Sequence, residues 1–141
     1  MKTLRLILGD QLSFNLPTLR DIDPAKDIVL MAEVMAEVTY VKHHKRKIAF
    51  LFSAMRHFAK SLEDDGLKVS YRQLDDPENA GSLAGEVAAA IDVFGPDRIV
   101  VTAPGEYRLA EDMAGWQKQF NLPVIILPDT RFLCSVDEFV I

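Results

Sequence analysis

The sequence predicts an α/β protein, a Rossmann-like doubly wound sandwich whose five-stranded parallel sheet is flanked by helices on both faces. Apolar runs of strand length alternate along the chain with longer segments whose apolar residues recur every three or four positions. Strands that alternate with helices form parallel sheets, and right-handed crossovers place those helices over the sheet. The β-branched run 98–102 is typical of a strand buried on both faces.

Each predicted element has its own local signal. The longest helix follows the helical period in its apolar residues, and Gly66 is suited to cap it because glycine readily adopts a left-handed conformation. Ala88–Ala90 favours a second helix by propensity. The predicted strands cover residues 4–8, 28–31, 67–71, 98–102 and 124–127, and the predicted helices cover 44–62, 82–94 and 106–120, with one helical turn after Pro17.

Composition indicates one soluble domain. The chain has 141 residues, 49% apolar and 26% charged, which is enough to bury a core. No apolar run approaches the roughly 18 residues of a membrane span, and the first residues show no signal peptide, so we expect a cytoplasmic protein without membrane contact. A single cysteine, Cys134, excludes an internal disulfide and a cysteine-only metal site, and is expected to be a small buried hydrophobe.

The charge distribution limits the possible partners. A net charge of −5 argues against a domain that binds DNA by itself, because neutralisation of phosphates dominates such binding. A local basic cluster, Lys42–Lys47, interrupts this acidic background. It is either a solvated helix entrance or a contact for an anionic ligand. His43 and His44 are neighbours whose side chains diverge, so they are poor joint metal ligands.

Known catalytic motifs are missing from the sequence. The turn after the first strand contains one glycine, Gly9, and therefore neither a dinucleotide fingerprint nor a phosphate-binding loop. No serine lies in a nucleophile elbow, and Cys134 has no activating partner nearby in sequence. Asp10 fits a receiver domain, but Arg131 stands where such a domain needs a lysine. We predict that this chain alone catalyses no reaction.

The residues that follow the strands are the candidate ligand contacts. In doubly wound folds, ligands bind outside the carboxyl ends of the strands, where the strand order reverses. Glycine, proline and aspartate are also ordinary turn residues, so each position alone has a structural explanation. The four segments on this predicted rim are 9–11, 33–37, 102–106 and 128–131.

Five ordered motifs resemble the amino-terminal domain of the deoxyribodipyrimidine photolyase-related proteins, the bacterial iron–sulfur photolyases and cryptochromes. The resemblance covers essentially the whole chain. Its motifs are Leu6–Leu12, Glu33–Tyr40, Ile48–Phe58, Pro104–Arg108 and Thr130–Leu133.

The resemblance implies that residues 1–141 form an antenna domain that binds 6,7-dimethyl-8-ribityllumazine. It also implies a helical domain that carries FAD and a four-cysteine iron–sulfur cluster and binds damaged DNA in the full-length protein. That protein is then either a light-driven enzyme that repairs DNA photoproducts or a blue-light photoreceptor. The helical domain is expected to begin shortly after Phe139, so the chain is expected to be a fragment. A lost domain interface would expose an apolar patch, through which the fragment could form a homodimer.

The resemblance also implies particular ligand contacts. Phe52 either covers a ring face or belongs to the core, and Glu106 and Arg131 either bind the ligand or form ordinary ion pairs. A free-standing nucleotide-binding or flavodoxin-like regulatory domain is the alternative function. The implied contacts are Gly9, Asp10, Gln11, Glu37, Lys47, Ile48, Phe52, Glu106 and Arg131.

Overall fold

A computed structural model describes residues 2–9, 11–14, 16–34, 45–104 and 107–128, with the backbone alone for 45–48 and 107–108. Within these ranges the chain forms a parallel sheet with helices on both faces. The strands are β1 (Thr3–Leu6), β2 (Ile28–Ala32), β3 (Lys68–Arg72), β4 (Arg98–Thr102) and β5 (Val124–Leu127), and the helices are α1 (Lys45–Asp64), α2 (Leu83–Phe94), α3 (Tyr107–Ala114) and α4 (Trp116–Phe120).

The strand order confirms the predicted fold class. The five strands lie in the order β3-β2-β1-β4-β5, and every neighbouring pair is parallel. The chain therefore starts in the middle of the sheet, builds outward to the β3 edge and then returns to build the β5 edge. Strand order reverses between β1 and β4, which defines the topological switch point of a doubly wound fold.

Two hydrophobic clusters cover the two faces of the sheet. On one face, Leu4 and Val101 pack with residues of α2, α3 and α4, among them Trp116, which is fully buried. On the other face, Met31 packs with residues of α1, among them Met55. Side chains of a strand alternate between faces, and β2 contributes to both clusters. The residues of β1 and β2, and those of β4 after Arg98, are buried.

The predicted elements agree with the structure in most places. The strands 98–102 and 124–127 match at both ends. At the end of α1, Gly66 has a φ of 90°, and Leu67 N donates to Leu62 O while Gly66 N donates to Glu63 O, which is the expected glycine cap.

Several predicted boundaries differ from the structure by one or two residues, for example 67–71 against Lys68–Arg72. Two differences have a clear physical reason. Strand β1 ends at Leu6 rather than Leu8, because the Leu8 amide turns away to the side chain of Gln11. The single helix predicted over 106–120 is two helices, α3 and α4, separated at Gly115. There the Gly115 amide donates to Asp112 O, which closes a turn before α4 begins.

The described residues between β1 and β2 form no α-helix. They include one 3-10 turn, Pro17–Leu19, as the proline signal predicts. A buried ion pair holds this connection against the sheet. Arg5 Nε donates to Asp27 Oδ2 at 3.0 Å, and Arg5 Nη1 donates to the carbonyl oxygens of Thr18 and Arg20, both at 2.8 Å.

No helix in the described ranges is long and apolar enough to cross a membrane.

Replacing Asp27 with alanine should destabilise the fold strongly, because it leaves the buried Arg5 guanidinium without its counter-charge. We expect the free energy of unfolding to fall by about 3–5 kcal/mol in urea denaturation. The matched control is Asp92→Ala, an exposed carboxylate on α2, for which we expect a change within about 0.5 kcal/mol. Equal losses in the two variants would contradict a special role for the Arg5–Asp27 pair.

Candidate functional site

The candidate site lies at the carboxyl end of the sheet, at the switch point between β1 and β4. The chain leaves β1 through Ile7–Gly9 and leaves β4 through Ala103–Pro104. These two exits diverge because β1 connects toward β2, on one side, and β4 connects toward β5, on the other. A crevice between diverging exits is the usual ligand position in such folds.

Gln11 joins the two strands across this switch point. Its side chain is 3% exposed. Oε1 accepts a hydrogen bond from Leu8 N at 3.3 Å, and Nε2 donates to Thr102 O at 3.1 Å and to Ala103 O at 3.4 Å. Both ends of the amide are therefore engaged with the backbone of the protein. The structure places Gln11 at the predicted rim, where its side chain fixes the spacing between the ends of β1 and β4.

Gly9 allows helix α1 to approach the end of β1 closely. A Cβ atom at this position would lie 3.1 Å from Met55 Sδ and 3.6 Å from Leu51 Cδ1. The first distance is shorter than ordinary van der Waals contact, so α1 or the Met55 side chain would have to move to admit a larger residue. The absence of a side chain at Gly9 thus brings the middle of α1 next to the switch point.

Three of the predicted ligand contacts are described in full: Gly9, Gln11 and Phe52. Phe52 is half-buried and packs against the hydrophobic cluster under α1, which agrees with the core alternative. Lys47 and Ile48 lie in the first turn of α1, where only the backbone is described. The predictions for Asp10, Glu37, Glu106 and Arg131, and those for His43, His44 and Cys134, concern residues outside the described ranges.

Thr18 and Thr102 form a second link across the switch point, which the sequence analysis missed. Their hydroxyl oxygens lie 2.6 Å apart, and Thr18 N also donates to Thr102 Oγ1 at 3.1 Å. Both side chains are fully buried. The pair attaches the 3-10 turn to the end of β4, so these hydrogen bonds fix the turn against the fourth strand.

Glu33 is the most densely hydrogen-bonded side chain of this edge, and its role was also missed. It directly follows β2 and is fully buried. Arg56 of α1 donates to both carboxylate oxygens, with Nε 2.7 Å from Oε2 and Nη2 2.9 Å from Oε1. Tyr71 OH donates to Oε2 at 2.5 Å, and Leu74 N donates to Oε1 at 3.0 Å. One carboxylate therefore links β2, β3 and α1.

The hydrogen bonds around Glu33 determine its ionisation. Burial by itself would raise the pKa of the Glu33 carboxyl, but the hydrogen bonds from Arg56, Tyr71 and Leu74 outweigh burial and hold the pKa below its usual value. Burial and the hydrogen bond to Glu33 raise the pKa of the Tyr71 hydroxyl. Glu33 is thus ionised and Tyr71 neutral across the neutral pH range.

A second layer of polar contacts extends this network to α2. Arg72 donates to Asp76 at 3.1 Å and to the buried Glu86 at 3.3 Å. Asn79 Nδ2 donates to Glu33 O at 2.8 Å. Across the described residues, every buried side-chain nitrogen and oxygen atom has a hydrogen-bond partner. Side-chain hydrogen bonds therefore hold together the ends of β2 and β3, and the switch point lies at the other half of the edge, between β1 and β4.

The topology and the switch-point contacts define a Rossmann-like, doubly wound α/β domain. The chain belongs to the deoxyribodipyrimidine photo-lyase-related protein family, whose model matches residues 5–140. This confirms the resemblance found in the sequence.

One curated relative is named (6-4) photolyase and comes from Agrobacterium fabrum. It is 52% identical over 139 residues, a match that covers 99% of this chain and 27% of the relative. The chain therefore spans about a quarter of the length of that relative.

Replacing Gln11 with alanine should destabilise the domain, because the Leu8 amide and the carbonyl groups after β4 lose a buried partner. We expect the free energy of unfolding to fall by about 1–3 kcal/mol in urea denaturation. Gln119→Ala on α4 removes an exposed glutamine and should leave stability within about 0.5 kcal/mol of the parent value. A Gln11→Ala variant as stable as this control would show that the bridge between β1 and β4 is dispensable.

The lowered pKa of Glu33 predicts a loss of stability in acid. The unfolded chain binds the proton more readily than the folded one, so stability is complete above the unfolded pKa of about 4.3 and falls as the pH drops through the lower folded pKa. In urea denaturation from pH 7 to pH 2, Glu33→Gln should show a shallower acid slope than the parent. The exposed Glu63→Gln control should keep the parent slope, and identical slopes in all three proteins would refute the assignment.

Proposed function

We propose that this domain binds an antenna chromophore, 6,7-dimethyl-8-ribityllumazine, at the switch point between β1 and β4. The observation that carries the proposal is the position of Gly9 and Gln11, two residues implied by the family resemblance, at the switch point beside α1. When bound, such a chromophore would absorb light and transfer the excitation energy to a second pigment.

Apolar residues of α1 beside the end of β1 support the proposal of a flat ring at this position. Leu51 and Met55 reach the end of β1 and supply an apolar wall, and Phe52 lies on the same helix. A ring held against apolar side chains is shielded from water, and a few polar groups then determine its orientation. The hydrogen bonds of Gln11 to Leu8 and Thr102 hold the backbone beside this wall in place.

The polar contacts of the proposal come from the family resemblance. Carboxylates at Asp10 and Glu37 would accept hydrogen bonds from the ribityl hydroxyls, and Lys47 would donate to a ring carbonyl. Lys47 lies in the first turn of α1, where the helix dipole adds positive potential. Ile48, Glu106 and Arg131 complete the proposed set.

For the longer protein we propose a light-driven photolyase that repairs photoproducts in DNA. The support is family membership together with a relative that is named (6-4) photolyase. In this proposal FAD, the iron–sulfur cluster and the DNA contacts belong to a helical domain beyond this chain. The chain itself contributes ligand binding.

The direct test is a fluorescence titration of the purified chain with 6,7-dimethyl-8-ribityllumazine, alongside ATP and FMN. Saturable binding of one lumazine per chain is expected, with little competition from ATP. Binding of ATP without binding of the lumazine would overturn the antenna proposal and favour a nucleotide-binding regulatory domain.

Glu37→Ala should abolish lumazine binding without unfolding the domain, because the proposal makes this carboxylate the main polar anchor of the ligand. Titration measures the binding, and circular dichroism with urea denaturation measures the fold. Glu63→Ala, which removes an exposed carboxylate near the far end of α1, is the matched control and should bind like the parent. Unchanged binding by Glu37→Ala would eliminate this residue from the site.

A further inference from the structure

We propose that the Glu33–Arg56 ion pair is a positioning device for the ligand site, and that ligand affinity depends on it. This inference rests on the proposed function. The pair links the two flanks of one connection: Glu33 directly follows β2, and Arg56 lies on α1, which begins at Lys45. Leu51 and Met55 of the same helix lie beside Gly9 at the proposed ligand site, so the pair helps to determine where α1 stands relative to that site.

The geometry of the pair fixes orientation as well as distance. Arg56 donates two hydrogen bonds, one to each carboxylate oxygen, at 2.7 and 2.9 Å. A planar guanidinium bound in this bidentate way resists both rotation and sliding, which a lysine at the same position would not do. The apolar contacts of α1, by contrast, would tolerate small shifts of the helix along the sheet.

Three strand ends converge on the same turn of α1. The carboxylate of Glu33 is held from the β3 side by Tyr71 and by the Leu74 amide. Met55, the neighbour of Arg56, lies against Gly9 at the end of β1. The ion pair therefore registers α1 against β1, β2 and β3 together, at the edge where the proposed ligand binds.

Stability alone does not explain such a pair. Removing the water around a buried carboxylate costs free energy that its partners largely offset, so a buried ion pair contributes little compared with well-packed apolar residues. Arg56 is also half-exposed, with 49% of its side chain accessible to water. A bidentate pair that adds little net stability but fixes the orientation of a helix is suited to a site that must hold a ligand in one pose.

The test uses Arg56→Lys and Arg56→Ala in the full chain, titrated with 6,7-dimethyl-8-ribityllumazine. Residues that influence a site without contacting its ligand change its binding by a factor of about 2 to 30, so we expect the affinity to fall by about this factor in Arg56→Ala, with an intermediate loss in Arg56→Lys. The fluorescence anisotropy of the bound lumazine should also fall in both variants, because a displaced helix would hold the ring less tightly.

Asp27→Asn is the matched control, since it weakens a buried ion pair at the opposite, amino-terminal end of the sheet. At a temperature where all the variants are folded, it should keep the affinity and anisotropy of the parent. Equal losses in Asp27→Asn would reduce the effect to general destabilisation and overturn the inference. Parent-like affinity in both folded Arg56 variants would also overturn it. Failure of the unaltered chain to bind lumazine would instead refute the proposed function on which the inference rests.

Discussion

The fold depends on how the connection from the central strand β1 to its neighbour β2 is held against the sheet. Because β2 lies beside β1 and parallel to it, the connection between them must return along the sheet, and its described residues do so without an α-helix. A connection of this kind carries backbone groups that a helix would have satisfied internally. Buried polar side chains take their place: Arg5 binds the carbonyl groups of the loop, and Thr18 is bound to Thr102.

Buried polar side chains also satisfy backbone groups at the carboxyl edge of the sheet. Gln11 satisfies the backbone where β1 and β4 part, and Glu33 does so where β2 and β3 end. Each of these side chains joins segments that are far apart in sequence, so neither half of the edge can move without breaking buried hydrogen bonds. The ligand site that we propose, at the switch point between β1 and β4, therefore lies in a preformed part of the edge, and binding there would require little ordering of the described residues.

The fold could be predicted from the sequence because its signals are local: apolar runs, helical periodicity and a glycine cap at Gly66. The rule for ligand position in doubly wound sheets also located the rim that contains Gly9 and Gln11. What remained hidden depends on partners distant in sequence. Gln11 resembles any polar turn residue until Thr102, 91 positions later, lies beside it. Arg5 within an apolar strand, and Glu33 after one, likewise acquire their roles only through tertiary contacts.

The electrostatics of the described edge keep Glu33 and Tyr71 each in one protonation state. A catalytic acid or base works best when its pKa lies near the working pH. Here the interactions move both pKa values away from neutrality. The pKa of Glu33 is lowered and that of Tyr71 is raised, so each group keeps one protonation state around pH 7. A carboxylate and a phenol fixed in this way serve as permanent acceptor and donor. They give the edge its rigidity, and rigidity is the property that a chromophore needs if its orientation toward a second pigment is to stay constant.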